Sequence, residues 1–202
     1  MKDFKELNII GLTGITGAGK SMAAELFKER GFYVINCDKE ARRLISSARC
    51  SAAVKRAFPE VFDENGVLDR LKTARLVFSS RDRLKEYEGI VFPFITYGLI
   101  NNIQQKADEG NFNFLLDAPT LYQSGANDLC GKIVAVVASK ATCAKRITER
   151  DVISEADALM RLNAQPSAEF FKERADYFIE NNGDTESYLI KIAETIDKIG
   201  KK

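Results

Sequence analysis

Short apolar runs alternate with longer segments of mixed polarity along most of this 202-residue chain. The runs at residues 7–13, 32–35, 112–116, 132–137 and 176–179 have the length and composition of buried strands. Several of the segments between them carry apolar residues at helical spacing. Strands that alternate with helices predict an α/β fold in which a parallel sheet is covered by helices on both faces.

A block at residues 46–109 departs from this alternation. Its pattern is largely helical, it separates the second strand from the third, and Pro93 interrupts its long helical run at 80–109. We predict that the block is a helical insertion in a single domain. The core of that domain then comprises about residues 1–45, 110–139 and 167–202.

Residues 14–21 have the sequence GITGAGKS, which is the G-x-x-x-x-G-K-S pattern of a phosphate-binding loop (the P-loop). The P-loop follows the first predicted strand and precedes a helical segment. Its glycines let the backbone approach a phosphate, and the helix presents its positive end. Lys20 is expected to reach the β- and γ-phosphates, and Ser21 to offer a hydroxyl to Mg²⁺. The predicted triphosphate contacts are Gly14, Thr16, Gly17, Ala18, Gly19, Lys20, Ser21 and Met22.

Two aspartates follow predicted strands, at the edge where open parallel sheets bind ligands. Asp38 is a candidate to accept a proton from a substrate hydroxyl or to contact Mg²⁺ through water. Its alternative role is the N-cap of a helix that begins near Lys39. Asp117 closes the third strand as a Walker-B acid does, or is a turn residue before Pro119. The pattern leaves both alternatives open.

Basic residues are concentrated after the fourth predicted strand. Arg146 and Arg150 are four positions apart, so they share one face of a predicted helix. Guanidinium groups bind phosphate oxygens bidentately, and a mobile segment that carries them can close over a nucleotide. The alternative is a solvated helix face in which Glu149 and Asp151 are the partners of these arginines. The presence of the P-loop favours the nucleotide-binding role.

The overall composition excludes several classes of function. The 30 basic and 29 acidic residues give a net charge of +1, so no global field favours a nucleic-acid partner. No window approaches the roughly 20 apolar residues of a transmembrane helix, which argues against a membrane partner. The sequence contains no histidine. A His-ligated zinc site and a Ser-His or Cys-His catalytic pair are therefore excluded, and any general base should be a carboxylate.

The cysteines indicate the compartment. Cys37, Cys50, Cys130 and Cys143 form no C-x-x-C pair, so we expect reduced, mostly buried thiols in a cytoplasmic protein rather than a metal site. The segment MKDFKELNIIGLTG lacks the apolar core of a signal peptide, because charges interrupt it. We expect a monomer or a weak homo-oligomer.

Six sequence blocks together resemble the dephospho-coenzyme A kinases, which are P-loop kinases of the nucleoside-monophosphate-kinase type. The blocks occur in the order and at the spacing of that family over almost the whole chain. They are GLTGITGAGKS, VINCDKEAR, VLDRLKTARLVFSSRDRLKEYEGIVFPFI, LLDAPTLYQSGAN, KRITERDVISEADALMRLNAQ and ADYFIENNG. The P-loop alone would not distinguish among kinases, whereas the later blocks do.

The resemblance implies a reaction and a set of site residues. ATP and Mg²⁺ would serve to phosphorylate the 3′-hydroxyl of dephospho-coenzyme A. Asp38 would be the catalytic aspartate and Arg42 an acceptor contact, while a lid at about 140–166 would bring arginines to the developing charge. The implied catalytic residues are Lys20, Asp38, Arg146 and Arg150. The remaining implied contacts are Asp117 and Pro119 with the acceptor, and Asn181 and Asn182 with the adenine.

Three residues depart from the family pattern. Phe92 stands where the family usually has histidine before a proline, Gln123 where it has glutamate, and Asn36 where the first aspartate of a D-x-D pair is usual. None of them replaces a residue of the implied catalytic set. Two alternatives remain open: a kinase of another small acceptor such as a nucleoside monophosphate, and a nucleotide-binding paralogue without catalytic activity.

Overall fold

The structure is a computed structural model that describes residues 4–200. These residues form two compact units, one made of 4–36 with 106–200 and the other of 37–105. The strands are β1 (Asn8–Gly14), β2 (Tyr33–Asn36), β3 (Asn113–Asp117), β4 (Lys132–Val137) and β5 (Tyr177–Glu180). The α-helices are α1 (Lys20–Glu29), α2 (Cys37–Ile45), α3 (Ala48–Ala57), α4 (Arg70–Val77), α5 (Arg81–Asp108), α6 (Lys140–Asp151), α7 (Glu155–Asn163), α8 (Ala168–Arg174) and α9 (Thr185–Ile199).

The first unit is built on a parallel sheet with the strand order β2-β3-β1-β4-β5. Its central strands are apolar because both faces are covered, and Ile10, Leu115 and Val134 are fully buried. The α/β fold with a parallel sheet, predicted from the apolar runs, is therefore confirmed. Since the strands share one direction, their carboxyl ends lie along one edge, where Gly14 and Asp117 close β1 and β3.

The two faces of β4 pack against different helices. Val134 and Val136 join a core cluster with residues of α1 and α9, whereas Ala135 and Val137 pack with Phe171 of α8. Successive residues of a strand point to opposite faces. The sheet therefore has a helical layer on each side, which is the predicted three-layer arrangement.

The second unit is helical and has its own apolar core. Cys50 and Val54 of α3 pack there with Phe58, Phe62 and Val91. All of these side chains are buried. The second unit thus has enough apolar contact to form a core of its own.

The unit boundaries differ from the predicted core and insertion. We expected residues 1–45 in the core, but α2 belongs to the second unit, where Ile45 packs on the helical core. No turn signal marks this division, because β2 ends at Asn36 and α2 begins at Cys37. The predicted lid at 140–166, called the lid segment below, comprises α6 and α7, and it belongs to the first unit.

Helix α5 continues through Pro93, so the predicted interruption at this residue is wrong. Proline lacks an N–H, and its ring crowds the carbonyl group four residues earlier, which belongs here to Gly89. Both residues are exposed, so the local distortion disturbs no core contact. Val91 and Leu99 on either side are buried and hold the helix in place.

Helix α7 lies in a stretch of largely polar composition. Ser154 caps it, since its hydroxyl accepts a hydrogen bond from the N–H of Asp157 at 3.1 Å. Ala158 and Leu162 are its buried residues. A cap and a narrow apolar stripe are therefore sufficient to fix this helix against its neighbours.

Two expectations about protein class can be compared with the structure. Among the helices of residues 4–200, none combines the length and the apolar character that crossing a membrane requires. None of the four cysteines, all of which lie within residues 4–200, forms a disulfide, and Cys37, Cys50 and Cys143 are buried. The expectation of mostly buried thiols outside disulfides is confirmed.

Replacement of Pro93 by alanine is expected to stabilise the second unit. Alanine restores an N–H donor toward the carbonyl of Gly89, and the exposed position leaves no cavity. The free energy of unfolding from a urea titration should rise by about 1–3 kcal/mol. The control Thr96→Ala, exposed in the same helix, should change it by at most about 0.7 kcal/mol. An unchanged or lower value for Pro93→Ala would show that the helix accommodates proline without cost.

Candidate functional site

The P-loop lies at the carboxyl edge of the sheet, between its central strand and a helix. β1 ends at Gly14 and α1 begins at Lys20. Strands β3 and β4 flank β1, with Asp117 and Val134 in register with Leu12. The motif therefore stands on a rigid support, in the strand-loop-helix context that its sequence predicts.

Geometry requires glycine in the P-loop, as Gly14 and Gly19 illustrate. Gly14 has a φ of 140°, and a Cβ on it would stand 1.9 Å from the carbonyl oxygen of Val136. Gly19 has a φ of 105°, and its Cβ would stand 2.5 Å from Nδ2 of Asn181. The backbone conformation and the close approach both exclude a side chain. The loop can thus pack directly against β4 and the segment after β5.

Two side chains from the end of the chain hold carbonyl groups of the P-loop. Nδ2 of the buried Asn181 donates to the carbonyl oxygen of Ala18 at 2.7 Å. The hydroxyl of Tyr188 donates to the carbonyl oxygen of Gly19 at 2.9 Å. Burial raises the pKa of Tyr188, so the phenol remains a donor at physiological pH. With carbonyl groups engaged outside the loop, N–H groups can face a ligand.

Arg146 of α6 connects the lid segment to the P-loop. Its Nη1 donates to the carbonyl oxygens of Gly17 at 3.4 Å and of Asn181 at 3.3 Å. A guanidinium group has five N–H donors, so these contacts leave donors for phosphate oxygens. The structure thus places this predicted lid arginine directly at the loop.

The first turn of α1 and one ion pair determine the charge of the site. Gly19 is the N-cap of α1, and no side chain of the described residues caps this helix, so its first N–H groups suit an anion. Nζ of Lys20 forms an ion pair with Oδ1 of Asp117. Their side chains are 17% and 11% exposed. The P-loop lysine is therefore oriented by a carboxylate from the next strand of the sheet.

Asp117 ends β3 and also lies beside Asn36, its neighbour in register on β2. Nδ2 of Asn36 is 3.5 Å from Oδ2 of Asp117. An aspartate at position 36, as is usual in the family, would bring a second negative charge to this place, whereas the amide is a donor. Asp117 therefore contacts the P-loop lysine, and its Walker-B role stays a prediction.

A cavity of about 310 Å³, the loop cavity, adjoins the P-loop. It is formed by the loop, the first turn of α1, the segment after β3 and two arginines of α6. Its lining residues are Gly14, Ile15, Thr16, Gly17, Gly19, Lys20, Ser21, Pro119, Arg146 and Arg150. The predicted phosphate-binding groups and the predicted lid arginines thus share one cavity.

Four residues that were predicted to contact the nucleotide do not line the loop cavity. Met22 lines a separate groove with residues of α9, and the side chain of Ala18 is buried. Asn181 supports Ala18, while Oδ1 of Asn182 accepts a hydrogen bond from the N–H of Ser139 at 2.7 Å. Ala18, Asn181 and Asn182 thus hold the structure around the loop, and their contact with a nucleotide stays a prediction, as it does for Met22.

Two supports of the P-loop give no signal in the local sequence pattern. Tyr188 occupies an apolar position of the last helix, and Gln165 belongs to a polar stretch. Oε1 of Gln165 accepts a hydrogen bond from the N–H of Thr16 at 3.0 Å. These side chains are 169 and 149 residues from their partners in the sequence. Only the fold brings them together.

In the second unit, α2 carries the predicted acceptor-side residues. The helix begins at Cys37, so Asp38 lies in its first turn and the N-cap alternative is wrong. Nε of Arg42 donates to the carbonyl oxygen of Asp38 at 3.1 Å. Arg43 pairs instead with Glu40 and, through its hydrogen bond and its charge, lowers the pKa of that carboxyl. Neighbouring arginines of α2 therefore have different roles.

Arg42 also lines a cavity of about 510 Å³ in the second unit, the helical cavity. Its wall is mainly apolar and comes largely from α2, α4 and α5, and its charged lining residues are Arg42, Arg70 and Glu88. Phe92 contributes to this wall and packs on the core of the unit. A volume of this size is typical of a small-molecule site. The residue that replaces the usual histidine thus adds an apolar ring to the cavity.

Ser21 and Asp117 provide oxygen atoms of the kind that Mg²⁺ prefers. Mg²⁺ usually takes one or two protein oxygens and completes its shell with water and substrate phosphates. Ser21 lines the loop cavity, and Asp117 is paired with Lys20 of the same loop. Residues 4–200 contain no group of three or more His, Cys, Asp or Glu side chains arranged to hold a metal ion. The donor set fits a metal that arrives with a nucleotide.

Known proteins match this chain over nearly its whole length. The family model for dephospho-CoA kinase matches residues 8–187. The dephospho-CoA kinase of Fusobacterium nucleatum is 31% identical over 95% of this chain and 98% of its own length. The dephospho-CoA kinase of Bacillus licheniformis is 31% identical over 96% and 98%.

Solved structures show the same fold over nearly the whole chain. The crystal structure of TT1252 from Thermus thermophilus has a TM-score of 0.84 and 30% identity, and the match covers 96% of this chain and 97% of that one. The solved dephospho-CoA kinase of Campylobacter jejuni has the same fold, with a TM-score of 0.70 and 24% identity over 95% of this chain and 96% of that one. Because the family model matches residues 8–187 and a curated relative is 31% identical over 95% of the chain, this chain belongs to the dephospho-CoA kinase family.

Proposed function

We propose that this protein transfers the γ-phosphoryl group of ATP to the 3′-hydroxyl of dephospho-coenzyme A, which gives coenzyme A and ADP. Family membership over residues 8–187 supports the reaction. The observation that carries the proposal is the loop cavity, where Lys20 and Ser21 meet Arg146 and Arg150. It offers ammonium, hydroxyl, main-chain and guanidinium donors to one triphosphate.

Lys20 exchanges partners when the triphosphate binds. Its ammonium group is paired with Asp117 in the structure, so a cation is already held at the loop. The β- and γ-phosphate oxygens then replace the carboxylate as its partners. Because the lysine is paired in both states, it is at no stage buried without a counter-charge. Asp117 becomes available to the acceptor side of the reaction.

The transferred group is stabilised by charge rather than by covalent contact with the protein. In phosphoryl transfer, negative charge is spread over the oxygens of the moving group, so that positioned cations lower the barrier. Arg146 and Arg150 supply that charge from the wall of the loop cavity. Mg²⁺, when bound, neutralises charge between the β- and γ-phosphates. Ser21 is the residue that would hold it.

Asp38 orients or deprotonates the acceptor hydroxyl. The chain has no histidine, so a carboxylate is the natural base for this step. Asp38 lies in the first turn of α2, where the positive end of the helix stabilises a negative charge. Its carbonyl oxygen accepts from Arg42, which stiffens the turn that carries the carboxylate.

The helical cavity suits the rest of the acceptor. Dephospho-coenzyme A has a diphosphate and a pantetheine arm that carries methyl and amide groups. Arg42 and Arg70 offer guanidinium groups to the diphosphate, and the apolar wall that includes Phe92 suits the arm. Arg42 lies one turn after Asp38 on α2, about 6 Å along the axis. A ligand whose hydroxyl meets Asp38 therefore needs to extend little to reach this cavity.

We place the reaction in the cytoplasm, because four cysteines without a disulfide fit a reducing compartment. ATP and dephospho-coenzyme A are the proposed partners. The net charge of +1 gives no basis for a nucleic-acid partner. A monomer or a weak homo-oligomer is sufficient, since one chain supplies every group to which we give a role.

Incubation of the purified protein with ATP, Mg²⁺ and dephospho-coenzyme A is expected to yield coenzyme A and ADP, identified by mass spectrometry. Lys20→Met should lower kcat by about 10²- to 10³-fold, because it removes a donor from the transferred charge. Lys28→Met is the control, since that lysine of α1 pairs with the exposed Glu25, and it should retain normal turnover. Product with a nucleoside monophosphate but not with dephospho-coenzyme A would refute the proposed acceptor.

The variant Asp38→Asn is expected to lose about 10²- to 10⁴-fold in kcat, because the amide cannot accept the proton. Steady-state kinetics should show little change in the KM for ATP. Glu40→Gln removes a carboxylate from the same helix, one that pairs with Arg43, and should leave kcat nearly unchanged. Normal turnover of Asp38→Asn would exclude Asp38 as the base.

The variant Arg42→Met tests the acceptor site. Loss of a charge-assisted contact of about 1.5–3 kcal/mol should raise the KM for dephospho-coenzyme A about 10- to 100-fold. The KM for ATP should stay the same. Arg43→Met changes the adjacent arginine, which pairs with Glu40 and does not line the helical cavity, and it should change neither KM. An equal rise in both KM values for Arg42→Met would contradict an acceptor-specific role.

A further inference from the structure

The lid segment contains a carboxylate that binds two arginines. Oδ1 of Asp151 accepts from Nε of Arg150 at 2.7 Å, and Oδ2 accepts from Nη2 of the same residue at 3.1 Å. Oδ2 also accepts from Nη1 of Arg161 at 2.7 Å. Asp151 ends α6 and Arg161 belongs to α7. This carboxylate therefore joins the two helices of the lid segment.

The contact with Asp151 orients Arg150 at the loop cavity. Two parallel hydrogen bonds fix the plane of a guanidinium group, and they use two of its five N–H groups. Arg150 lines the loop cavity at the same time, so three N–H groups remain for phosphate oxygens. The hydrogen bond between the two groups lowers the pKa of Asp151 and raises that of Arg150. Both therefore remain charged at neutral pH.

A chain of hydrogen bonds connects this cluster to the P-loop. Nε2 of Gln165 donates to the carbonyl oxygen of Arg161 at 3.1 Å. Oε1 of Gln165 accepts from the N–H of Thr16 at 3.0 Å. Arg161 in turn pairs with Asp151. The carboxylate that orients Arg150 is thus anchored to the loop that binds phosphates.

The backbone after Asp151 is strained in a way that these contacts explain. Val152 has φ 52° and ψ 49° and is the only non-glycine residue of 4–200 with a positive φ. A β-branched residue strongly disfavours this conformation. Val152 is 90% exposed, so packing of its side chain does not offset the cost of this backbone conformation. The residues on either side must therefore stabilise the turn, and the ion pair between Asp151 and Arg161 spans it.

We propose that Asp151 is the positioning residue of Arg150, which it holds in the orientation that contacts the transferred phosphoryl group. Hydrogen bonds of Arg161 and Gln165 connect the pair of Asp151 and Arg150 to the P-loop. The inference rests on the proposed function, because it requires Arg150 to act in phosphoryl transfer. Asp151 itself touches no substrate, so its whole effect on the rate passes through Arg150. A mere counter-charge on a solvated helix face would have almost no effect on the rate.

A double-mutant cycle on kcat tests this inference. Asp151→Asn keeps the shape of the side chain but loses its charge, and it should lower kcat about 10- to 100-fold, as expected when a catalytic group moves by about 1 Å. The KM for ATP should change far less. Arg150→Met should lower kcat by about 10²- to 10³-fold. The double variant should be no slower than Arg150→Met, because no guanidinium is left to position.

Glu149→Gln is the matched control, since it removes the preceding, exposed carboxylate of α6 with the same change in charge. It should retain normal kcat. If Asp151→Asn slowed the enzyme by the same factor with and without Arg150, its role would be merely structural and the inference would be overturned. Normal kcat in Asp151→Asn would overturn it as well. Normal kcat in Arg150→Met would instead refute the proposed role of Arg150 in phosphoryl transfer. A failure of the inference about Asp151 can therefore be distinguished from a failure of the role of Arg150.

Discussion

The site depends on a main-chain loop whose carbonyl groups are engaged from outside, so that its N–H groups are left to an anion. Asn181 holds the carbonyl of Ala18, and Tyr188 holds that of Gly19. Arg146 adds a contact from α6. A glycine-rich loop is intrinsically costly to order. These contacts offset part of that entropic cost, because they stabilise the loop in the conformation that suits a phosphate.

The three cations that line the loop cavity each have a partner within the first unit. Lys20 is paired with Asp117, Arg150 with Asp151, and Arg146 with carbonyl groups. A cluster of unpaired cations would repel one another and be poorly solvated in a cavity. Ligand binding would replace the partner of Lys20 and would use N–H groups that Arg146 and Arg150 still have free of their protein partners. These pairs limit the stability that the protein would otherwise lose by keeping an anion site ready.

The sequence predicted those features that depend on neighbours along the chain. The P-loop and the strand before it are local patterns, and the structure agrees with both. The predicted interruption at Pro93 was wrong because a long helix with buried residues on either side tolerates an exposed proline. The unit boundary at Asn36 was missed because a strand runs into a helix without a turn. The roles of Tyr188 and Gln165 arise from contacts that only the folded chain makes.

The absence of histidine makes the charge of both cavities insensitive to pH near neutrality. Histidine is the side chain whose ordinary pKa lies between pH 5 and 8, and the chain has none. Buried thiols do not take its place, because burial raises the pKa of Cys50 and of Cys143. Phe92 keeps the wall of the helical cavity apolar where the family usually has a titratable ring. The charge around both cavities therefore comes from lysine, arginine and carboxylate groups rather than from a side chain of the histidine type.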